Sequence, residues 1–222
     1  MKLVKNKNCI KYFLMAGIIL LCLYSNGLAK LFTPLFDNIY YGNLVRMFVA
    51  ITSAIIWIIE MVVIVLISKK IGVKIFAEKS EQERPLWKVV VVFAMTVIPM
   101  IVISACVGWK VKIVYALGEH VTSVGLGCNV AEIGAYVVRM GLMVMFISCI
   151  QTGFEMIIET KYIIPYGAIF AFLTFGLIDF FVLAVDLRVF YLIMSFWYGL
   201  IYLFADRKIG LTWVVCYLIY LL

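Results

Sequence analysis

Long apolar runs, separated by short polar stretches, divide the chain. Runs at about 12–29, 44–68, 89–109, 133–160, 162–185, 189–205 and 209–222 predict seven helices. Runs of about 20 apolar residues match a bilayer core of about 30 Å. Backbone groups in hydrocarbon must be satisfied within the segment, and the runs lack the alternating pattern of a barrel, so helices are predicted. The expected fold class is all-α: a polytopic transmembrane helical bundle, one integral membrane domain over residues 1–222. No polar stretch is long enough to bury a core of its own.

Local signals punctuate these runs. Thr33-Pro34 and Asp37-Asn38 mark a loop, and Ser80-Glu81-Gln82-Glu83 followed by Arg84-Pro85 leads into a helix start. Pro99 should kink the third helix, with Trp87 and Trp109 at its two interfaces. The stretch Lys110 to Glu132, with Gly125-Leu126-Gly127-Cys128, reads as a loop. The seventh helix is short for a full span. Ser195-xxx-Gly199 and Gly167-xxx-Ala171 are small-residue spacings that favour close helix packing.

Composition agrees: 66% of residues are apolar and 14% charged. The net charge of +7 does not indicate nucleic-acid binding, because the basic residues flank apolar runs rather than forming a basic face on a soluble fold. Lys2, Lys5, Lys7 and Lys11 precede the first run, and Leu28-Ala29-Lys30 is a poor small-residue cleavage site. That run is therefore read as a retained helix, not a signal peptide. With the N-terminus cytoplasmic, the inner segments hold thirteen Lys and Arg and the outer segments five. The expected orientation in the cell membrane is N-terminus inside and C-terminus outside. Cys9, Cys22, Cys106, Cys128, Cys149 and Cys216 show no metal or disulfide spacing and read as small hydrophobes.

The candidates for chemistry are the acids within apolar runs. Glu155 and Glu159 are spaced i, i+4, which would place them on one face of the fourth helix. Such a pair either activates water or holds a metal or proton, or is a solvated helix end facing a base such as Lys161 or Arg207. Asp179 lies deep in an apolar run, where an unpaired carboxylate costs roughly 2.5–3.5 kcal/mol on insertion scales. Arg139, on the preceding helix, is its expected ion-pair partner. Glu60 is a further acid on the second helix. His120 and Cys128 lie in the predicted loop without a supporting motif, and Gly125-Leu126-Gly127 lacks the strand and GK[ST] of a phosphate loop. No metal site and no cofactor are expected.

The last third of the chain resembles the CPBP family of membrane-embedded CAAX prenyl endopeptidases and bacteriocin-processing relatives. That family carries Glu-Glu-xxx-Arg, then Phe-xxx-His, then a final His-xxx-Asn. Here Phe154-Glu155-Met156-Ile157-Ile158-Glu159 keeps one glutamate of the first motif, and Phe175-Gly176-Leu177-Ile178-Asp179 has aspartate for histidine. Tyr198-Gly199-Leu200-Ile201-Tyr202 and Asp206-Arg207-Lys208-Ile209-Gly210-Leu211-Thr212-Trp213 are similar to the family's helix, basic turn and final helix. Cys216 and Tyr220 fall where His and Asn would be. The resemblance implies an inherited fold in a bacterial cell membrane without the family's glutamate–histidine hydrolysis.

The expected function is noncatalytic: an integral protein of the lipid bilayer that binds or regulates another membrane protein or a peptide, as in immunity or envelope regulation. One alternative is a transport component using Glu60, Asp179 and Arg139 along a pathway. Another is a protease with a rearranged site, Glu155 and Glu159 supplying base and metal or water ligand.

Overall fold

The longest helix carries the core, and the other elements are arranged around it. The computed structural model describes residues 2–3, 8–25, 42–76, 86–106, 123–159, 162–182 and 185–221. Among these the protein is all-α, with seven helices. They are α1 (Cys9–Leu23), α2 (Gly42–Ile71), α3 (Leu86–Cys106), α4 (Ser123–Glu155), α5, α6 (Val185–Phe204) and α7 (Ile209–Leu221). Helix α5 runs in three continuous pieces: Tyr166–Ala171, a π-helical stretch Phe172–Gly176, and Leu177–Val182. One antiparallel pairing joins β1 (Lys2–Leu3) to β2 (Ile158–Glu159).

Helix α4 packs against α1, α2, α5, α6 and α7, while α3 lies outside it on α6 and α7. Every residue of α4 from Met140 to Gln151 is buried. Small side chains let the neighbours approach. A methyl at Gly141 would lie 2.9 Å from the Trp213 ring of α7, and one at Gly167 would lie 2.7 Å from the Ile147 carbonyl oxygen. These approaches match the packing role predicted for small residues.

Two helices, Leu44–Ile71 and Gly125–Glu155, are long and apolar enough to cross a membrane. Shorter apolar helices make up the rest of the bundle, Cys9–Leu23, Trp87–Pro99, Tyr166–Gly176, Leu192–Phe204 and Ile209–Tyr220 among them.

Several sequence expectations are corrected. Helix α4 begins at Ser123, not near 133, so Gly125-Leu126-Gly127-Cys128 is helix rather than loop. Its other end is Glu155, not 160. Ile158 and Glu159 then form a strand, so Glu155 and Glu159 do not share a helical face. The physical reason is the chain's need to turn: Lys2–Leu3 supplies backbone partners to Ile158–Glu159 with Lys2 opposite Glu159, and these outcompete one more helical turn. The first helix spans Cys9–Leu23 rather than 12–29, and the fifth begins at Tyr166 rather than 162. Helix α2 runs past Ser68 to Ile71, where Gly72 at φ 74° accepts the left-handed conformation that ends it. The Val73 N–H donates to the Ser68 carbonyl at 2.8 Å and the Gly72 N–H to the Lys69 carbonyl at 3.3 Å, the paired bonds of a Schellman cap.

Pro99 sits inside α3 as predicted. A proline has no N–H, so the carbonyl four residues earlier, on Met95, loses its helical donor. The Trp197 indole of α6 donates to that oxygen at 2.8 Å. The loss on one helix is thus made good by its neighbour, as a dry setting requires. Trp197→Phe should destabilise the fold by about 1–2 kcal/mol. The same substitution in a Pro99→Ala background should cost less, because alanine at that position would restore the backbone donor. Thermal unfolding of the four proteins in detergent measures this; strictly additive effects would refute the link.

Candidate functional site

Several stretches that the Lys and Arg pattern places on one side of the chain meet at one end of the bundle, here called the basic end. The Lys11 ammonium donates to the Ile71 carbonyl at 3.1 Å, capping α2. The Lys74 N–H donates to the Tyr12 hydroxyl at 3.2 Å. Lys88 pairs with Asp206, and Arg207 pairs with Glu155 at 2.7 Å.

The α6–α7 turn that presents Asp206 and Arg207 is built for the purpose. Both residues take positive φ, 54° and 59°, which costs a non-glycine residue roughly 1–2 kcal/mol each. The Arg207 N–H donates to the Tyr202 carbonyl at 2.9 Å and the Asp206 N–H to the Leu203 carbonyl at 3.1 Å, again a Schellman cap. The two ion pairs tie this tight turn to α3 and α4.

Directly inside lies a buried polar layer. Gln151, 1% exposed, uses its whole amide. Its Nε2 donates to Glu155 Oε1 at 2.7 Å and to the Ile164 carbonyl at 2.9 Å, and its Oε1 accepts the Gly167 N–H at 2.9 Å. One helical turn deeper, the Tyr202 hydroxyl donates to Ser148 Oγ at 2.8 Å, and Ser148 donates to the Ile75 carbonyl at 3.0 Å. The layer joins α4 to α5, α6 and the chain after α2. Glu155 is therefore shared between Gln151 and Arg207, both on its Oε1, and serves as a structural acceptor.

The second feature is a cleft between α2 and α4 towards the other end, about 640 Å³ in volume. Arg46 and Glu132 stand in it as a fork: Nη2 reaches the two carboxylate oxygens at 2.9 and 3.1 Å, and Nε reaches Oε1 at 3.2 Å. Trp57, Ser53, Tyr136 and Arg139 line it further in. Arg139 lies over the Tyr136 ring, 5.8 Å from its centroid. It also borders a smaller void of about 40 Å³ among α1, α4, α5, α6 and α7. The cleft opens where α1 ends. The Trp57 indole donates to the Cys22 carbonyl at 3.2 Å and Ser25 donates to Glu60 at 3.0 Å, so α1 stops near the middle of α2.

The predicted candidates are thus dispersed. Glu155 is in the basic-end network, Arg139 borders the cleft, and Glu60 meets Ser25. The side chains of Glu159 and Asp179 lie outside the described residues, as does His120; the predicted Arg139–Asp179 pair falls there with them. Cys128 lies on α4 one turn from Glu132, its thiol 3.9 Å from Oε1. Among the described residues no cluster of three or more His, Cys, Asp and Glu side chains is arranged to hold a metal ion.

Among the described residues, Glu155 and Tyr220, which stand at the first and last of the protease-like positions, lie far apart. Tyr220 stacks on Tyr136 with centroids 4.4 Å apart. Tyr136 and Glu155 are 19 residues apart on α4, about 28 Å at helical rise. Cys216 is fully buried in the core.

Gln151, Ser148, Tyr202 and the Arg46–Glu132 fork were not singled out by sequence reasoning. The signal for Gln151 was present: a glutamine in an apolar run, one turn before Glu155. Glu132 was obscured by the loop assignment. No protein-family model, no curated protein and no solved structure matches the chain.

Proposed function

We propose that the protein is a noncatalytic integral membrane bundle of seven helices that binds another membrane protein or peptide. In this reading the basic end faces the cytoplasm, the C-terminus faces outward, and the shorter helices are shielded by α2 and α4. The carrying observation is the engagement of Glu155. The one glutamate kept from the protease motif is held by Gln151 and Arg207, and Tyr220, at the motif's last position, stacks on Tyr136 instead. A fold of the CPBP kind, kept without its chemistry, agrees with that arrangement and remains part of the proposal. The surface such binding would use is the apolar stripe of α2, where Ile51, Ile55, Ile59, Val62 and Leu66 are exposed at helical spacing.

The transport alternative draws on Arg139, which borders both the cleft and the void. The Ser148–Tyr202–Gln151 layer closes the bundle between those spaces and the basic end, so partner binding is preferred.

Glu155→Gln separates structural from chemical use. The amide oxygen still accepts from Gln151 and Arg207, and the lost charge belongs to a partly exposed pair worth about 1 kcal/mol or less. The variant should keep its fold and co-purify in mild detergent with the same membrane polypeptide as the parent. Peptide hydrolysis by the parent, abolished in Glu155→Gln, would refute the reading.

A further inference from the structure

We propose that the exposed flank of α2 at Glu60 docks a transmembrane helix that carries one lysine or arginine near its middle. This names the chemistry of the partner proposed above and rests on that reading. Depth is the first argument. Glu60 lies 9 residues before the exposed Lys69, about 14 Å along the helix. With Lys69 at the basic boundary, the carboxyl sits close to the middle of a bilayer core of about 30 Å. Acids at that depth are costly and almost always have a partner. Among the described residues, Glu60 meets the Ser25 hydroxyl at 3.0 Å and forms no ion pair.

Charge is the second argument. Helix α1 ends at Leu23, two residues before Ser25, so its C-terminal carbonyls lie beside Glu60. They carry the negative end of the helix dipole. The Cys22 carbonyl accepts the Ser25 N–H and the Trp57 indole, and neither brings a full positive charge. Carboxylate and helix end therefore place negative charge at one spot, whose complement is a cation. The direction of approach is the third argument. Glu60 is half-buried, at the border of the packed and open faces of α2. Ile64, four residues on, is buried, whereas Val63, three residues on, and Ile59 are exposed. A cation arriving on that side crosses apolar surface. A basic side chain on an apolar helix brings its own cover to Ile59 and Val63, which a hydrated small ion does not.

Two leucine helices of about 20 residues, one with a central lysine and one without, serve as probes. Energy transfer between labelled peptide and labelled protein in phosphatidylcholine vesicles measures binding. The parent should bind the lysine peptide about tenfold more tightly, the scale of one good interhelical polar contact. Glu60→Gln, which still accepts from Ser25, should bring the two peptides level. Val63→Lys leaves Glu60 in place and supplies the cation from α2 itself. It should do the same, and it covers the case in which Glu60→Gln fails to fold. A preference that survives in folded Glu60→Gln, or in Val63→Lys where only that variant folds, overturns the site. So does a parent without preference, the result if a bound proton or a small cation settles Glu60. Co-purification in mild detergent decides the partner reading separately: a parent that shows no preference yet keeps its membrane polypeptide fails only the charge pairing.

Discussion

Gln151→Leu should lower stability by about 3 kcal/mol, the largest single-residue loss expected among the described polar groups. Leucine fills nearly the same volume, so the loss is of hydrogen bonds rather than of packing. Three bonds disappear together: those to Glu155, to the Ile164 carbonyl and from the Gly167 N–H. The Gly167 amide is then left in the core without its acceptor, at roughly 1–3 kcal/mol for such a group, while the Ile164 carbonyl keeps the Tyr166 N–H at 2.9 Å. Glu155 keeps Arg207 and is the least affected member. Unfolding in detergent measures the total, and hydrogen exchange at the Gly167 amide should rise well beyond the average for α5. A variant that unfolds with the parent and keeps Gly167 protected would show that the layer does not hold α5 to α4.

That network explains why parts of the molecule were readable in the sequence and others were not. The apolar runs located the helices, because a run of Leu, Ile, Val and Met signals burial whatever it packs against. Pro99 signalled a broken backbone bond, since the defect is covalent. The repair by Trp197 was hidden, because 98 residues separate donor and proline and only the packing of α6 on α3 brings them together. The glycines at 125 and 127 misled for a related reason. Each costs a helix about 1 kcal/mol, yet α2 packs against this part of α4, and a methyl at Gly127 would lie 3.2 Å from the Met47 sulfur. Tertiary approach outweighed local propensity. The Glu155–Glu159 spacing misled because it assumed a helix that the pairing with Lys2–Leu3 ends early.

The site followed the same division. Arg207 was foreseen as a cation able to face Glu155, since both lie in stretches assigned to one side. Gln151 was passed over because a lone amide has no spacing to mark it; its meaning comes from the Gly167 and Ile164 backbone, 16 and 13 residues on. The cleft was invisible for a stronger reason. A cavity depends on where α1 stops relative to α2, and no local pattern along the chain records that.

Gly199→Ala should be the second large loss, about 1–3 kcal/mol from overpacking. A methyl at Gly199 would fall 2.6 Å from the Ala168 backbone nitrogen, and backbone cannot rotate out of the way as a side chain can. Relief would require α5 to move towards α4, but Gly167 already faces the Ile147 carbonyl there, with 2.7 Å to a hypothetical methyl. The first turn of α5 is therefore held between α4 and α6 with little slack on either side. The strain should pass to the Gln151–Gly167 bond, so Gly199→Ala should also raise hydrogen exchange at Gly167. It should be less than additive with Gln151→Leu, because both act on the same docking of α5. Gly210→Ala is the matched control: nothing lies within 4 Å of its added methyl, and alanine is the better helix former. It should leave stability unchanged or slightly raised. Equal unfolding midpoints for the two alanine variants would mean that α5 and α6 can separate freely, and the tight stacking of α4, α5 and α6 would not be what holds the basic end together.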